Sequence, residues 1–189
     1  MKIIIHGGFF SESSTNIETK VAKQEALLRI VKASYEYLQT HSALETVVFA
    51  VSMLEDDALF NAGIGSQIQS DGNIRMSAAL MNGETQKMSG VINIENVKNP
   101  IQVAEVLMKE DDRILGGSGA TNYARQHGFE EFSTEIPQRR TEYEAKVKSL
   151  GLGTVGCVAL DAAGKIAVAT STGGKGFELV GRISDSATV

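Results

Sequence analysis

The chain has 189 residues, of which 42% are hydrophobic and 22% charged, and its formal net charge is −5. This composition fits one domain with a sizeable core and excludes a disordered chain. The negative balance argues against nucleic acid or an anionic membrane surface as a partner. One cysteine excludes an internal disulfide. The sequence shows no signal-like or bilayer-spanning apolar stretch, so we expect a cytoplasmic protein.

Hydrophobic spacing divides the first part of the chain into strands, helices and loops. The predicted elements are a strand over 3–5, a polar loop over 11–16, a helix over about 21–38, a helix over about 42–57 and a glycine-rich loop over 60–65. Ser42 and Glu45 have the spacing of a capping box, which marks the start of the second helix. Gly7-Gly8 predicts a tight turn after the first strand.

The remaining elements pair strands with strands and helices with helices. They are a hairpin of strands 74–81 and 87–94, a helix over 100–109, a short strand at 113–115, a helix ending at Gly128, and strands 155–160 and 166–170. Residues 130–151 are charged and polar, with a weak helical pattern over 143–150, and predict an exposed linker. This order favours an α+β layered sandwich over a regular βαβ alternation.

The Gly153-Thr154 pair stands where the linker meets a strand. A threonine hydroxyl is a poor nucleophile at neutral pH, but a threonine at the start of a chain can use its own α-amine as base. A mid-chain threonine reaches that state only if the peptide bond before it is cut. Glycine at 153 tolerates the unusual backbone angles that such a cleavage site needs. A Gly-Thr pair before a strand is more often an ordinary turn.

Three further side chains supply the partners that this chemistry needs. Thr172, at the end of the adjacent strand, could donate a hydrogen bond to the Thr154 hydroxyl. Arg182 could grip a substrate carboxylate with two hydrogen bonds, and Asp185 could bind an ammonium group. The alternatives are that the Thr172 hydroxyl only bonds its own backbone, and that Arg182 and Asp185 form an ordinary surface salt bridge.

These motifs together resemble the isoaspartyl peptidase/L-asparaginase family, the plant-type asparaginases. The matching segments run in order along almost the whole chain: 4–8, 54–55, 59–65, 98–101, 153–161, 170–174, 181–182 and 185–186. The resemblance implies a four-layer αββα sandwich of the N-terminal nucleophile hydrolase type. It also implies a single hydrolase domain cleaved into an α-subunit region, 1–153, and the start of a β-subunit, 154–189.

The resemblance also assigns roles to individual residues. Thr154 is implied to be the autocleavage site, after Gly153, and the catalytic nucleophile. Thr172 supports its hydroxyl, Asn61 bonds near its amine, and Arg182 and Asp185 bind the substrate α-carboxylate and α-amino group. No cofactor is required. A structural sodium ion is implied, held by the backbone carbonyls of Leu54, Glu55, Asp57, Phe60, Ala62 and Ile64.

The implied reaction is acyl transfer from L-asparagine or a β-aspartyl (isoaspartyl) dipeptide to Thr154, followed by release of L-aspartate. The implied assembly is a homodimer of cleaved αβ units, with no nucleic acid or membrane partner. Family members continue beyond residue 189 with a Thr-Gly-Thr-Gly motif that supplies oxyanion donors. We therefore expect the fold and the site to be incomplete in this chain.

The sequence departs from the family pattern at several positions that bear on substrate preference. They are Phe9-Phe10, an Arg75–Ala78 strand without its usual acidic residue, 175–178 in place of a Thr-Asn-Lys run, and Ser184 in place of glycine. Three alternatives stay open. They are a glycosylasparaginase-like amidase, against which Gly153 argues; an inactive fragment or binding protein on the same fold; and phosphate binding at 116–119 before a helix.

Overall fold

A computed structural model describes residues 1–8, 17–145 and 153–187, and the predicted loop 11–16, Phe9-Phe10 and the end of the predicted linker lie outside them. The strands are β1 (Lys2–Gly7), β2 (Met76–Asn82), β3 (Lys87–Ile94), β4 (Ile114–Gly116), β5 (Val155–Leu160) and β6 (Ile166–Thr172). The helices are α1 (Ile17–Leu38), α2 (Ala43–Glu55), α3 (Pro100–Leu107), α4 (Gly117–Gln126) and α5 (Pro137–Glu144), and a short 3-10 helix spans Asp185–Ala187.

The described strands form a six-stranded sheet in the order β1-β5-β6-β2-β3-β4. All neighbours are antiparallel except β3 and β4. The first strand of the chain therefore lies beside a strand that begins about 150 residues later. This long-range pairing brings the end of β1 next to the start of β5, where His6 is opposite Gly156 and Gly7 is opposite Val155.

Helices α1 to α4 pack against the sheet and bury one of its faces. Helix α2 contacts β5 and β6, α3 contacts β2 and β3, α1 contacts β1, and α4 contacts β3. The alternation of a strand puts every second side chain on this face. In β5 these are Val155, Cys157 and Ala159, each at most 2% exposed. Burial raises the pKa of the Cys157 thiol to about 12, so this thiol is inert at neutral pH.

The opposite face carries a row of apolar side chains that run across four strands. Ile4 is opposite Val158, Val158 is opposite Val168, and Val168 is opposite Met81. Ile4, Val158 and Met81 are 71%, 42% and 43% exposed. One face of the sheet is thus a packed core, and the other presents apolar surface outwards.

Glu55 at the end of α2 is a fully buried acid in this core. Its Oε1 accepts a hydrogen bond from the backbone N–H of Ile101, in the first turn of α3, at 3.1 Å. Burial raises the pKa of Glu55 to about 8, against the smaller opposing effect of the hydrogen bond from Ile101. This side chain therefore ties the end of α2 to the start of α3.

The predicted elements correspond closely to the observed ones. The capping box of Ser42 and Glu45 is present, and β5 has the predicted bounds. The linker differs, because α5 occupies Pro137–Glu144 within it. Arg139 Nε donates to Gly65 O at 2.9 Å, and the Tyr143 hydroxyl donates to Ser70 O at 3.2 Å. These tertiary bonds hold a helix that the local sequence indicates only weakly.

The mixed α/β composition of the fold agrees with the sequence prediction. Among the helices of the described ranges, none has the length and apolarity that crossing a bilayer requires. Within the same ranges, no three His, Cys, Asp or Glu side chains cluster as metal ligands.

Candidate active site

Thr154 stands directly before β5. The start of β5 lies between the end of β1 and the end of β6, with Val155 opposite Gly7 and Ser171. The carbonyl oxygen of Gly153 is held by two side-chain donors. Asn61 Nδ2 donates to it at 3.1 Å, and the Thr172 hydroxyl donates to it at 3.4 Å. Hydrogen bonds to a carbonyl oxygen stabilise the negative charge that develops when its carbon is attacked. The peptide bond before Thr154 is therefore polarised at its carbonyl.

Asn61 is the residue that joins the segments of this site. It follows α2 in the loop, is 6% exposed, and also donates to Gly174 O at 2.5 Å. Its Oδ1 accepts from the Gln67 N–H at 3.1 Å, and its own carbonyl accepts from the Gly173 N–H at 2.9 Å. Both ends of its side-chain amide thus have partners, which fixes the direction of the amide and removes the ambiguity between its oxygen and nitrogen.

The turn after β1 presses against the same peptide bond. Gly8 has a φ of +90°, and a Cβ at this position would lie 2.9 Å from Gly153 Cα. Glycine is needed here both for its backbone angle and for the close approach. His6 Nδ1 lies 3.1 Å from Thr154 O and 3.1 Å from the Gly8 nitrogen. One ring nitrogen cannot both donate to the Thr154 carbonyl and accept from the Gly8 N–H. The tautomer of His6 therefore decides which of the two hydrogen bonds forms.

The hydroxyl of Thr154 has a partner that the sequence did not predict. Thr154 Oγ1 lies 3.0 Å from Ser186 Oγ. Thr172, expected to bond this hydroxyl, instead points to Gly153 O and accepts from the Gly174 N–H at 3.2 Å. The structure therefore places Thr172 beside the carbonyl of the Gly153–Thr154 bond and Ser186 beside the Thr154 hydroxyl. Ser186 belongs to a motif noted in the sequence, but its spacing carries no sign of this contact.

A cavity of about 300 Å³ opens beside Thr154 on the exposed face of the sheet. Its polar wall includes Thr154, Thr170, Asp185 and Ser186, and its apolar wall includes side chains of β2, β3 and β6. Arg182 is not among its lining residues; it lies in a turn where its backbone N–H donates to Leu179 O at 3.1 Å. Of the two predicted substrate-binding residues, the described structure brings Asp185 to the cavity.

The loop after α2 is wound tightly around its own carbonyl groups. Gly63 and Gly65 have φ of +52° and +94°, and added Cβ atoms would lie 2.3 Å from Glu55 O and 2.7 Å from Ala58 O. The six carbonyls implied as sodium ligands lie along this segment: Leu54, Glu55, Asp57, Phe60, Ala62 and Ile64. Glu55 O already accepts the Ile64 N–H at 2.7 Å. A carbonyl oxygen retains a second lone pair, so the donor set fits a hard cation.

Comparison with known proteins gives a consistent result along the chain. A family model described as Asparaginase matches residues 1–145 and 133–189. The chain is 44% identical to an isoaspartyl peptidase/L-asparaginase of Synechocystis sp., over 98% of the chain and 62% of the relative. It is 34% identical to the isoaspartyl peptidase of Escherichia coli, over 99% and 65%. It is also 34% identical to a plant-type L-asparaginase of Pyrococcus abyssi, over 97% and 67%.

Proposed function

Because this chain belongs to the asparaginase family, we propose that it is part of a threonine amidohydrolase that cuts its own Gly153–Thr154 bond. The chain spans 62% and 65% of the length of the Synechocystis and Escherichia coli relatives. The activity proposed is therefore that of the whole protein. The observation that carries the proposal is the pair of hydrogen bonds from Asn61 and Thr172 to Gly153 O.

Self-cleavage begins when the Thr154 hydroxyl oxygen attacks the carbonyl carbon of Gly153. Asn61 and Thr172 stabilise the charge on the carbonyl oxygen as the new C–O bond forms. The C–N bond then breaks, and the proton of the hydroxyl ends on the Thr154 nitrogen as part of a free amine. Water hydrolyses the resulting ester, leaving a carboxylate on Gly153 and the hydroxyl on Thr154.

The freed α-amine then serves as the base for the same hydroxyl in substrate turnover. We propose L-asparagine and β-aspartyl dipeptides as substrates, as the names of the relatives indicate for those proteins. Thr154 attacks the side-chain acyl carbon, ammonia or an amino acid leaves, and water releases L-aspartate. Asp185 on the cavity wall would bind the α-amino group, and Arg182 the α-carboxylate.

Two structural features of the family belong to the same proposal. The exposed apolar row of the sheet supports a second sheet packed on this face, as in a four-layer αββα sandwich. The winding of the loop after α2 supports a sodium ion held by its carbonyls, which would stiffen the segment that carries Asn61. Melting temperatures measured in equal concentrations of sodium chloride and choline chloride test this point. A higher melting temperature in sodium chloride supports the sodium site, and equal values contradict it.

The homodimer of αβ units is also a proposal, and sedimentation velocity tests it.

Intact mass spectrometry of the purified whole protein tests the central proposal. A time course at neutral pH should reveal a fragment that begins at Thr154, and Thr154→Ala should abolish it. Ammonia release from L-asparagine, compared between the same two proteins, tests the turnover step. A wild-type protein that stays whole and behaves like Thr154→Ala in both assays would show that the proposal is wrong.

A further inference from the structure

Ser186 is the side chain that touches the proposed nucleophile most directly. Its Oγ lies 3.0 Å from Thr154 Oγ1, a normal distance for a hydrogen bond between hydroxyls. The Thr172 hydroxyl cannot take this role in the same arrangement. Its proton points to Gly153 O, and it accepts the N–H of Gly174.

The position of Ser186 is fixed by its own contacts. The residue is 9% exposed and lies in the short 3-10 helix. Its carbonyl oxygen accepts a hydrogen bond from the Thr170 hydroxyl at 2.5 Å. Thr170 is on β6, opposite Gly156 of β5. Ser186 is thus bonded to the same pair of strands that holds Thr154, and this keeps the two hydroxyls within hydrogen-bonding distance.

Ser186 also lines the polar wall of the cavity, together with Thr154 and Asp185. An alcohol is too weak a base to deprotonate another alcohol at neutral pH, so its effect on Thr154 is one of orientation. A hydroxyl held by one hydrogen bond has fewer accessible rotamers, and its remaining lone pair has a defined direction.

We propose that Ser186 is a positioning residue that orients the Thr154 hydroxyl for attack. The proposal rests on the proposed role of Thr154 as nucleophile. Loss of one such hydrogen bond should slow cleavage of the Gly153–Thr154 bond about five- to tenfold. Ser186→Thr keeps the hydroxyl and should retain most of the rate that Ser186→Ala loses.

A matched control separates orientation from a general loss of stability. Ser89 is a buried serine on β3, and its hydroxyl donates to Ala104 O, away from the Gly153–Thr154 bond. Ser89→Ala should lower the melting temperature without slowing cleavage. If Ser186→Ala cleaves as fast as wild type, or if Ser89→Ala slows cleavage equally, Ser186 has no positioning role.

A second readout does not depend on cleavage. The Thr154→Cys variant places a thiol beside Ser186, and its pKa can be measured from the pH dependence of alkylation. The native thiol of Cys157 is buried with a raised pKa, so it contributes little background, and the wild-type protein measures it. Because a hydroxyl that donates to the thiolate favours the charged form, adding Ser186→Ala should raise the pKa of the introduced thiol by about 0.5 to 1.

The two readouts distinguish the two proposals. If wild type does not cleave but the thiol pKa responds to Ser186→Ala, the proposed function fails and the contact between positions 154 and 186 stands. If wild type cleaves but neither the cleavage rate nor the thiol pKa responds, the proposed function stands and the inference about Ser186 is overturned.

Discussion

Replacing Asn61 by aspartate changes one nitrogen to an oxygen and reverses the chemistry of the site. The amide donates to Gly153 O and to Gly174 O, at 3.1 and 2.5 Å. An ionised carboxylate has no proton to donate, so three oxygens would face one another in a buried loop. Asn61→Asp should therefore weaken both the fold and the proposed self-cleavage.

The expected magnitude follows from the bonds that are lost. Each lost hydrogen bond removes about 1 kcal/mol, and leaving a buried carbonyl without its donor adds to that. The total should be about 3 kcal/mol of unfolding free energy at neutral pH. Loss of a donor to a developing oxyanion costs about 100- to 1,000-fold in rate in comparable sites, so cleavage before Thr154 should slow by that order.

The pH dependence of Asn61→Asp provides a further check. Burial and the facing carbonyls raise the pKa of the introduced acid above its unfolded value. An acid with a raised pKa in the folded state contributes stability at low pH that is lost as the pH rises through that value. The difference in unfolding free energy between Asn61→Asp and wild type should therefore become smaller as the pH falls from 7.5 to 5, because the protonated acid can donate one hydrogen bond.

Guanidinium unfolding and a cleavage time course by intact mass are the two assays, and Asn99→Asp is the control. Asn99 is 7% exposed, and its amide donates to Ser52 O at 3.4 Å and to the Asp56 carboxylate at 3.0 Å. Asn99→Asp should lose stability without losing cleavage. The reasoning is refuted if Asn61→Asp cleaves within threefold of wild type at pH 7.5, or if Asn99→Asp slows cleavage as much.

Three further predictions test the loop, a surface ion pair and the exposed sheet face. Gly63→Ala should cost well over 2 kcal/mol because its Cβ would meet a carbonyl at 2.3 Å. Gly164→Ala, at φ +77° with open space, should cost only about 1 kcal/mol in urea unfolding. Hydrogen bonds from the Arg75 guanidinium lower the pKa of Asp71 to about 2. The contribution of this ion pair to the unfolding free energy is therefore fully present above pH 3.8 and is lost as the pH falls through 2. Asp71→Asn should cost about 1 kcal/mol at pH 7, and that gap should shrink as pH falls from 4 to 2. Val91→Thr, at a fully buried position, should cost about 1–3 kcal/mol by the same measurement. Val158→Thr, at a position 42% exposed in the structure, should cost a similar amount if a second sheet covers this face as proposed, and a cost within about 0.5 kcal/mol would contradict that packing.

The sequence predicts most of the elements of this fold because their signals are local. The capping box at Ser42 predicts the start of α2, and the run of mostly apolar residues over 155–160, followed by the turn at 161–165, predicts β5. Helix α5 is less well predicted, since tertiary bonds from Arg139 and Tyr143 contribute to it. Such bonds depend on where a distant loop lies, which local spacing does not encode.

The structure brings Asn61 and Thr172 to the Gly153–Thr154 bond, near one another as the sequence predicts, but the contact of Thr172 differs and Ser186 is missed. Chemistry identifies Thr154, and the family resemblance supplies Thr172 and Asn61, yet the direction of each hydroxyl is decided by neighbours far along the chain. Thr172 points to Gly153 O because β5 and β6 are paired in one particular register. Ser186 reaches Thr154 only because the chain turns back after β6, and no periodicity predicts that return.

The geometry around Gly153 depends on a support that starts well away from it. Glu55 O accepts the Ile64 N–H, and the Glu55 carboxyl accepts the N–H of Ile101, so the loop after α2 is anchored at its base. The same loop carries Asn61, whose amide reaches Gly153 O. A displacement of this base by even a fraction of an ångström would change a donor distance that is 3.1 Å in the structure. Since hydrogen bonds weaken steeply with poor geometry, removal of the Glu55 carboxyl should impair cleavage even though it touches no reacting atom.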